Sequence, residues 1–504
     1  MPTSKSLGAR SISAVFWGAG GAVLRMVLQI GAQITLARLL GPDQYGVFAI
    51  GATVIGFSAF FSDVGLAYGL IQKPQLDDRD VRFVVTWQIM LGLVVSGAVW
   101  LAAVPIAAFF GEPRSAPVLR ALSALCLLNA LAAPALNLLK RKIDFKRINI
   151  IALVSYAVGY LLVGVPMALA GAAVWALVAA WLVQAVVNLG LLYNASRHAL
   201  RPLLWYEHAR GQSRYGATVF LTNLVNWLIN NVDRIVVGRV FGSHEIGLYA
   251  TAYNLLYTPT ASALGVVQPV FFSASSRLQD DGGRIVSGYR ALLGAVMLIA
   301  LPIFTLVAVG AEAFIGMLYG PDWLAAAALC RPIALAMPFF LVWGFTTPLL
   351  WTGGKPGQEF LVQLPLALAW CAACVLAARY SVEALAWCVL ALAALRCIAM
   401  VVAAGRVVHM PWAGLWAAMR GGLIISACIG GVLAAAAPRL AGLAPALQFG
   451  LLAMLAKIVW WLMLRAWPGL VGSDLRQLLG KLLLQLPAPF KNALAFLLPG
   501  GTRA

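Results

Sequence analysis

Two runs of polar side chains interrupt otherwise apolar sequence: Arg25, Gln29 and Gln33, and Asn226, Asn230 and Arg234. Both follow an i, i+4, i+8 spacing, which lays each set along one helix face. A guanidinium pairs with anions, and amides both donate to and accept from hydroxyls. A face of this kind suits cargo that is anionic or sugar-like. The alternative is interhelical glue, because amides join helices routinely inside membranes. Arginine favours a polar cavity, since inserting it at mid-membrane costs roughly 2.5 to 3.5 kcal/mol.

The two runs sit at matching positions of an internal repeat. RLLGPDQYGVFA from Arg38 returns 201 residues later as RVFGSHEIGLYA from Arg239, with identity at Arg38 and Arg239, Gly41 and Gly242, Gly46 and Gly247, and Ala49 and Ala250. The same offset carries Arg25, Gln29 and Gln33 onto Asn226, Asn230 and Arg234. Six expected spans, an even number, separate the copies, so the halves run parallel about an axis along the membrane normal.

The elements that must hold these faces are membrane spans. Of the 504 residues, 62% are hydrophobic and 11% charged, against about 45 to 50% and about 25% in soluble globular chains. Blocks of roughly twenty apolar residues, enough to cross a hydrocarbon core of roughly 30 Å, are expected near 14–36, 47–69, 83–109, 116–138, 148–170, 172–193, 216–238, 246–272, 289–310, 324–350, 359–378, 382–404, 419–437 and 443–465. The fold class is thus all-α and polytopic, with about 14 transmembrane helices. The expected organisation is a six-helix lobe over 1–200, a second over 201–410, two further helices over 411–470 and a cytoplasmic amphipathic tail over 471–504.

With the amino terminus in the cytoplasm, the cytoplasmic segments and adjoining span ends collect 25 of the 36 Lys and Arg residues. The outer segments hold five (Arg38, Arg114, Arg239, Arg379, Arg439) and six lie within spans. That bias follows the positive-inside rule. The basic loops at Lys140 to Arg147 and Arg197 to Arg214 share a side only if the fifth and sixth spans are separate helices around Gly171. The net charge of +19 then reads as topology and contact with anionic lipid headgroups, not as nucleic-acid binding.

Enzyme motifs are weak. Asp78, Arg79 and Asp80 have a two-carboxylate spacing known from glycosyltransferases, but they sit in a short loop and read as a solvated charge run. Gly353, Gly354, Lys355, Pro356 and Gly357 lack the glycine spacing and the Ser or Thr of a phosphate loop. The histidines at 198, 208, 244 and 409 form no cluster in sequence, and the seven cysteines fall inside spans, where packing explains them. No catalytic residue, metal or cofactor is expected.

LARLLGPDQYGVFAI with SDVGLAYGLIQKP, and NNVDRIVVGRVFGSHEIGLYATAYNL with QPVFFSASSRLQDD, resemble the oligosaccharide flippases of bacterial polysaccharide export. These are Wzx-type proteins, here the WzxC-like branch, in the superfamily that also holds multidrug and lipid II exporters. The resemblance covers roughly residues 10 to 420. It implies alternating access by two six-helix lobes that carry an undecaprenyl-diphosphate-linked repeat unit across the bacterial inner membrane for capsule, exopolysaccharide or lipopolysaccharide. A polysaccharide polymerase and a chain-length regulator are the implied partners, beside membrane lipids.

On the same implication, Arg25 meets the diphosphate. Gln29, Gln33, Asn223, Asn226, Asn230, Arg234 and Asn254 complete the substrate-binding set, and Asp63 or Asp233 couples an ion. Asparagines crowd the seventh helix where lipid II exporters are richer in arginine. A multidrug exporter of the same superfamily is the alternative function, and a scaffolding membrane protein a third.

Overall fold

The computed structural model describes the backbone of residues 4–63, 70, 76–142, 144–206, 210–277, 281–352 and 356–485. Within those stretches, the side chains of residues 4–19, 22, 62, 63, 210–223, 277, 352, 356–358 and 481–485 lie outside the described set. Among the described residues the regular structure is all helical. The chain divides into two compact units, Met1–Thr251 and Ala252–Ala504.

Unit 1 begins with α1 (Ser4–Asp63), which is bent rather than continuous. Gly41 breaks it at φ 72° and ψ 170°, a conformation open to glycine and strained for other residues. Pro42 then restarts the helix, where its missing N–H costs nothing. Gly242, the repeat partner of Gly41, also has a positive φ of 87°, between α6 (Arg210–Phe241) and α7 (Ser243–Arg277). The repeated glycine therefore marks the same turn twice.

Between these hairpins lie α2 (Asp78–Phe110), α3 (Ser115–Arg141), α4 (Phe145–Leu169) and α5 (Val174–Ser196). The helices α4 and α5 are separate, as the charge pattern requires, and Gly171 (φ 79°) and Ala173 (φ 50°) turn the chain between them.

The start of α2 corrects one expectation. Asp80 is no solvated charge but is fully buried, and it closes a capping box by accepting the Asp77 N–H. The Tyr206 hydroxyl donates to its other oxygen. A carboxylate at N3 satisfies a donor that the first helical turn leaves open.

The linker after α5 is strapped onto α2. Arg82 donates to the carbonyls of Arg201 (3.0 Å) and Pro202 (3.3 Å), the Leu203 N–H donates to the Thr86 hydroxyl (2.8 Å), and the Trp87 indole donates to Leu204 (3.1 Å).

Unit 2 contains the rest of α7, then α8 (Gly282–Val309), α9 (Ala311–Leu318), α10 (Ala326–Thr352), α11 (Pro356–Ala377), α12 (Val382–Val407), α13 (Trp412–Leu440), α14 (Pro445–Ala466) and α15 (Ser473–Gln485). The tail helix α15 is docked. Asp474 pairs with Arg290 of α8 at 3.0 Å and accepts from Ser287 at 2.6 Å, while Leu475 joins a core with Ile425, Ile429, Leu433 and Leu452.

Twelve helices among the described residues are long and apolar enough to cross a membrane. One of the twelve, Val23–Phe61, spans the bend at Gly41 and so covers two expected spans. The seventh expected span lies in α6, which is outside the twelve. The described helices thus reach all fourteen expected segments, with residues 64–69 of the second outside the described set. Val94 and Leu101 of α2 are 68% and 72% exposed, and such helix faces are stable in lipid rather than water.

Candidate functional site

On α1, Arg25 is half-buried and lies within electrostatic reach of Tyr156 of α4. Its Nε is buried and has no hydrogen-bond partner among the described residues. One turn on, the Gln29 carbonyl accepts from the Tyr156 hydroxyl at 3.5 Å, and the Tyr156 ring stacks on Tyr160 with centroids 4.4 Å apart. Gln33 is committed to packing. Its amide donates to the Thr251 carbonyl at 3.3 Å, and its own carbonyl accepts from Tyr45 at 3.2 Å.

On α6, Asn226 and Asn230 are half-buried and both are bonded. Arg234 donates to the Asn231 side chain at 3.3 Å, and Asn231 in turn donates to the Trp227 carbonyl at 2.9 Å. Asp233 is buried and accepts from the Tyr249 hydroxyl at 2.6 Å and from the Arg234 N–H at 2.9 Å. Helices α1 and α6 pack together within unit 1, where Trp227 meets Phe57 with centroids 5.1 Å apart. Asn254 lies in unit 2 on an exposed position, its carbonyl accepting from Thr258. The side chains of Asp63 and Asn223 lie outside the described residues.

A buried polar cluster in unit 2 was not singled out by sequence. The Arg396 guanidinium of α12 lies 3.5 Å from the Trp343 ring centroid and donates to Gln363 of α11. Gln363 donates to Glu359 at 2.7 Å, and the Trp351 indole donates to the same carboxylate at 2.8 Å. Arg396, Glu359 and Gln363 are each at most 3% exposed. Arg396 was visible as a charge within an apolar span. Its partners lie 33 and 37 positions earlier and have no fixed spacing to reveal them.

Long apolar helices, a bent first helix and buried guanidinium and carboxylate groups in the spans define a multi-pass membrane protein. The solved structure of the lipid II flippase MurJ in an inward closed conformation superposes with a TM-score of 0.73 at 12% identity, covering 88% of this chain and 97% of that one. Residues 35–328 match the polysaccharide biosynthesis protein family, and the chain belongs to it. Among its relatives, the lipopolysaccharide biosynthesis protein WzxC of Escherichia coli K12 is 25% identical over 63% of this chain and 65% of its own length. The succinoglycan biosynthesis transport protein ExoT of Rhizobium meliloti is 26% identical over 60% and 61%. Each match spans less than two thirds of the relative's length.

Proposed function

We propose that this protein is a flippase that moves polyprenyl-diphosphate-linked oligosaccharide repeat units across the cytoplasmic membrane for polysaccharide assembly, by alternating access and without enzymatic chemistry. The observation that carries this reading is Arg25, a half-buried guanidinium in a membrane span whose Nε–H has no acceptor among the described residues. A buried donor left unbonded costs about 1 to 3 kcal/mol, and a diphosphate oxygen would supply the missing acceptor. Family membership and the relatives' involvement in lipopolysaccharide and succinoglycan biosynthesis support the cargo class.

In this proposal the amino-terminal lobe (1–200) holds the diphosphate through Arg25. Asn223, Asn226 and Asn230 of the second lobe (201–410) read sugar hydroxyls, with Gln29, Arg234 and Asn254 contributing. Gln33 counts less, since its amide is engaged with Thr251. Asp233, a buried carboxylate held by Tyr249, and Asp63 are the ion-coupling groups. The amino terminus and the tail (471–504) face the cytoplasm, residues 411–470 add two spans, and a polymerase and a chain-length regulator receive the exported unit.

The test is transport in inverted membrane vesicles with the full lipid-linked unit and with a one-sugar lipid diphosphate. Arg25→Ala should impair both cargoes alike at normal protein abundance, while Asn226→Ala and Asn230→Ala should impair the full unit more. Normal transport by Arg25→Ala would sink the diphosphate assignment. Equal losses of both cargoes in the Asn variants would make those amides helix glue.

A further inference from the structure

The repeated hairpins meet each other, and they meet at equivalent positions. A Cβ placed on Gly46 would lie 1.6 Å from the Ser243 carbonyl oxygen, and one placed on Gly247 would lie 2.1 Å from the Pro42 carbonyl oxygen. Position 42 is equivalent to 243 and position 46 to 247 under the 201-residue offset, so the two contacts are one contact made twice across a local pseudo-twofold axis. Asp43 and His244 are also equivalent, and they pair with each other across that axis, Oδ1 to Nδ1 at 3.1 Å. Their side chains are 58% and 49% exposed, so both are open to solvent.

We propose that this contact is a proton-tightened latch: glycines at 46 and 247 allow the two hairpins to close backbone to backbone, and protonated His244 fastens the closed arrangement through Asp43. Histidine is the side chain whose ordinary titration falls between about pH 5 and 8. Below that range the 43–244 contact is an ion pair, and above it only a hydrogen bond to a neutral ring. The closed arrangement is therefore favoured at low pH and loses this contribution as pH rises through the histidine range.

Glu112 of the α2–α3 turn accepts two hydrogen bonds from Arg114, at 2.8 Å each, and that contact holds its carboxyl down at about 2. Arg114 also reaches the Ser243 hydroxyl at 3.3 Å. Other charged groups lie near the latch in sequence: Glu245 on its own helix, Arg239 at the end of α6, which donates to the Phe109 carbonyl and lies over the Phe109 ring, and Arg38 before the bend in α1. Exposed ion pairs contribute modestly, so the expected effect is a shift in population of about 1.5- to 5-fold and not a complete switch.

The measurement is a distance distribution between spin labels at Leu39 and Val240, an exposed and equivalent pair. Labels attached through ketone-bearing residues leave the native cysteines in place, and the full chain in lipid nanodiscs needs no cargo, so failure of the flippase reading would not disturb the result. The ratio of long to short distances should rise about 1.5- to 5-fold between pH 5.5 and pH 8. His244→Gln and Asp43→Asn should abolish that dependence, and His244→Arg should hold the low-pH ratio throughout. Gly46→Ala should shift the population to the long distance at both pH values. A pH-independent wild type, a His244→Gln variant that still responds, or an unshifted Gly46→Ala variant would overturn the latch.

Discussion

Arg25, half-buried, and Arg396, buried, are both cations in membrane spans, yet their surroundings differ. Arg396 stacks on Trp343 and is linked through Gln363 to Glu359, so three helices of unit 2 share one neutralised polar cluster. Both guanidinium groups leave a buried Nε without an acceptor among the described residues, but Arg25 has only a tyrosine nearby and no ion pair or amide partner among them. Removing one member of a buried charge cluster leaves the other charge unbalanced, at about 3 to 5 kcal/mol. Arg396→Ala should therefore deplete the protein from the membrane and lower its thermal unfolding midpoint, whereas Arg25→Ala should do neither. The double variant Glu359→Gln, Arg396→Met should recover part of the lost stability, because no uncompensated charge remains. A fully abundant and stable Arg396→Ala protein would refute the clamp and free Arg396 for a transport role.

Helix ends and linkers show what local pattern reading can and cannot reach. Gly41 followed by Pro42 signals a break in any apolar run, and the structure bends α1 there. Asp80, by contrast, reads as one charge among several. Its burial depends on Tyr206, 126 positions later, arriving over it. The strap that brings Tyr206 there is held by Arg82, Thr86 and Trp87. Arg82→Ala removes two of its hydrogen bonds, which are worth about 1 kcal/mol each at most for exposed groups. Trypsin cleavage after Arg197 and Arg201 should then accelerate roughly fivefold, as expected when local opening becomes about 1 kcal/mol easier. An unchanged cleavage rate would mean that the apolar contacts of Leu203 and Tyr206 hold the linker unaided.

At the scale of the whole molecule the next question is orientation. The turn around Gly171 separates α4 from α5, so the loops at Lys140 to Arg147 and Arg197 to Arg214 are two spans apart and should lie on one side. Reporter fusions in both loops should report the cytoplasm and a fusion at Gly171 the opposite face; opposite sides for the two basic loops would overturn the assignment. Span positions, the repeat, the separation of α4 from α5 and the membrane environment were legible in the sequence alone. Hydropathy, charge bias and turn residues act over stretches of twenty residues or fewer, so the sequence carries them explicitly. The repeat also flagged Gly41, Gly46, Gly242 and Gly247, but only as identities. That two of them make turns and the other two admit a carbonyl from the opposite hairpin was decided by tertiary structure. So were the commitment of Gln33 to Thr251, the Arg396 cluster and the burial of Asp80. Each depends on contacts between residues 33 to 218 positions apart, and the polarity of a single side chain does not say which partner packing will bring to it.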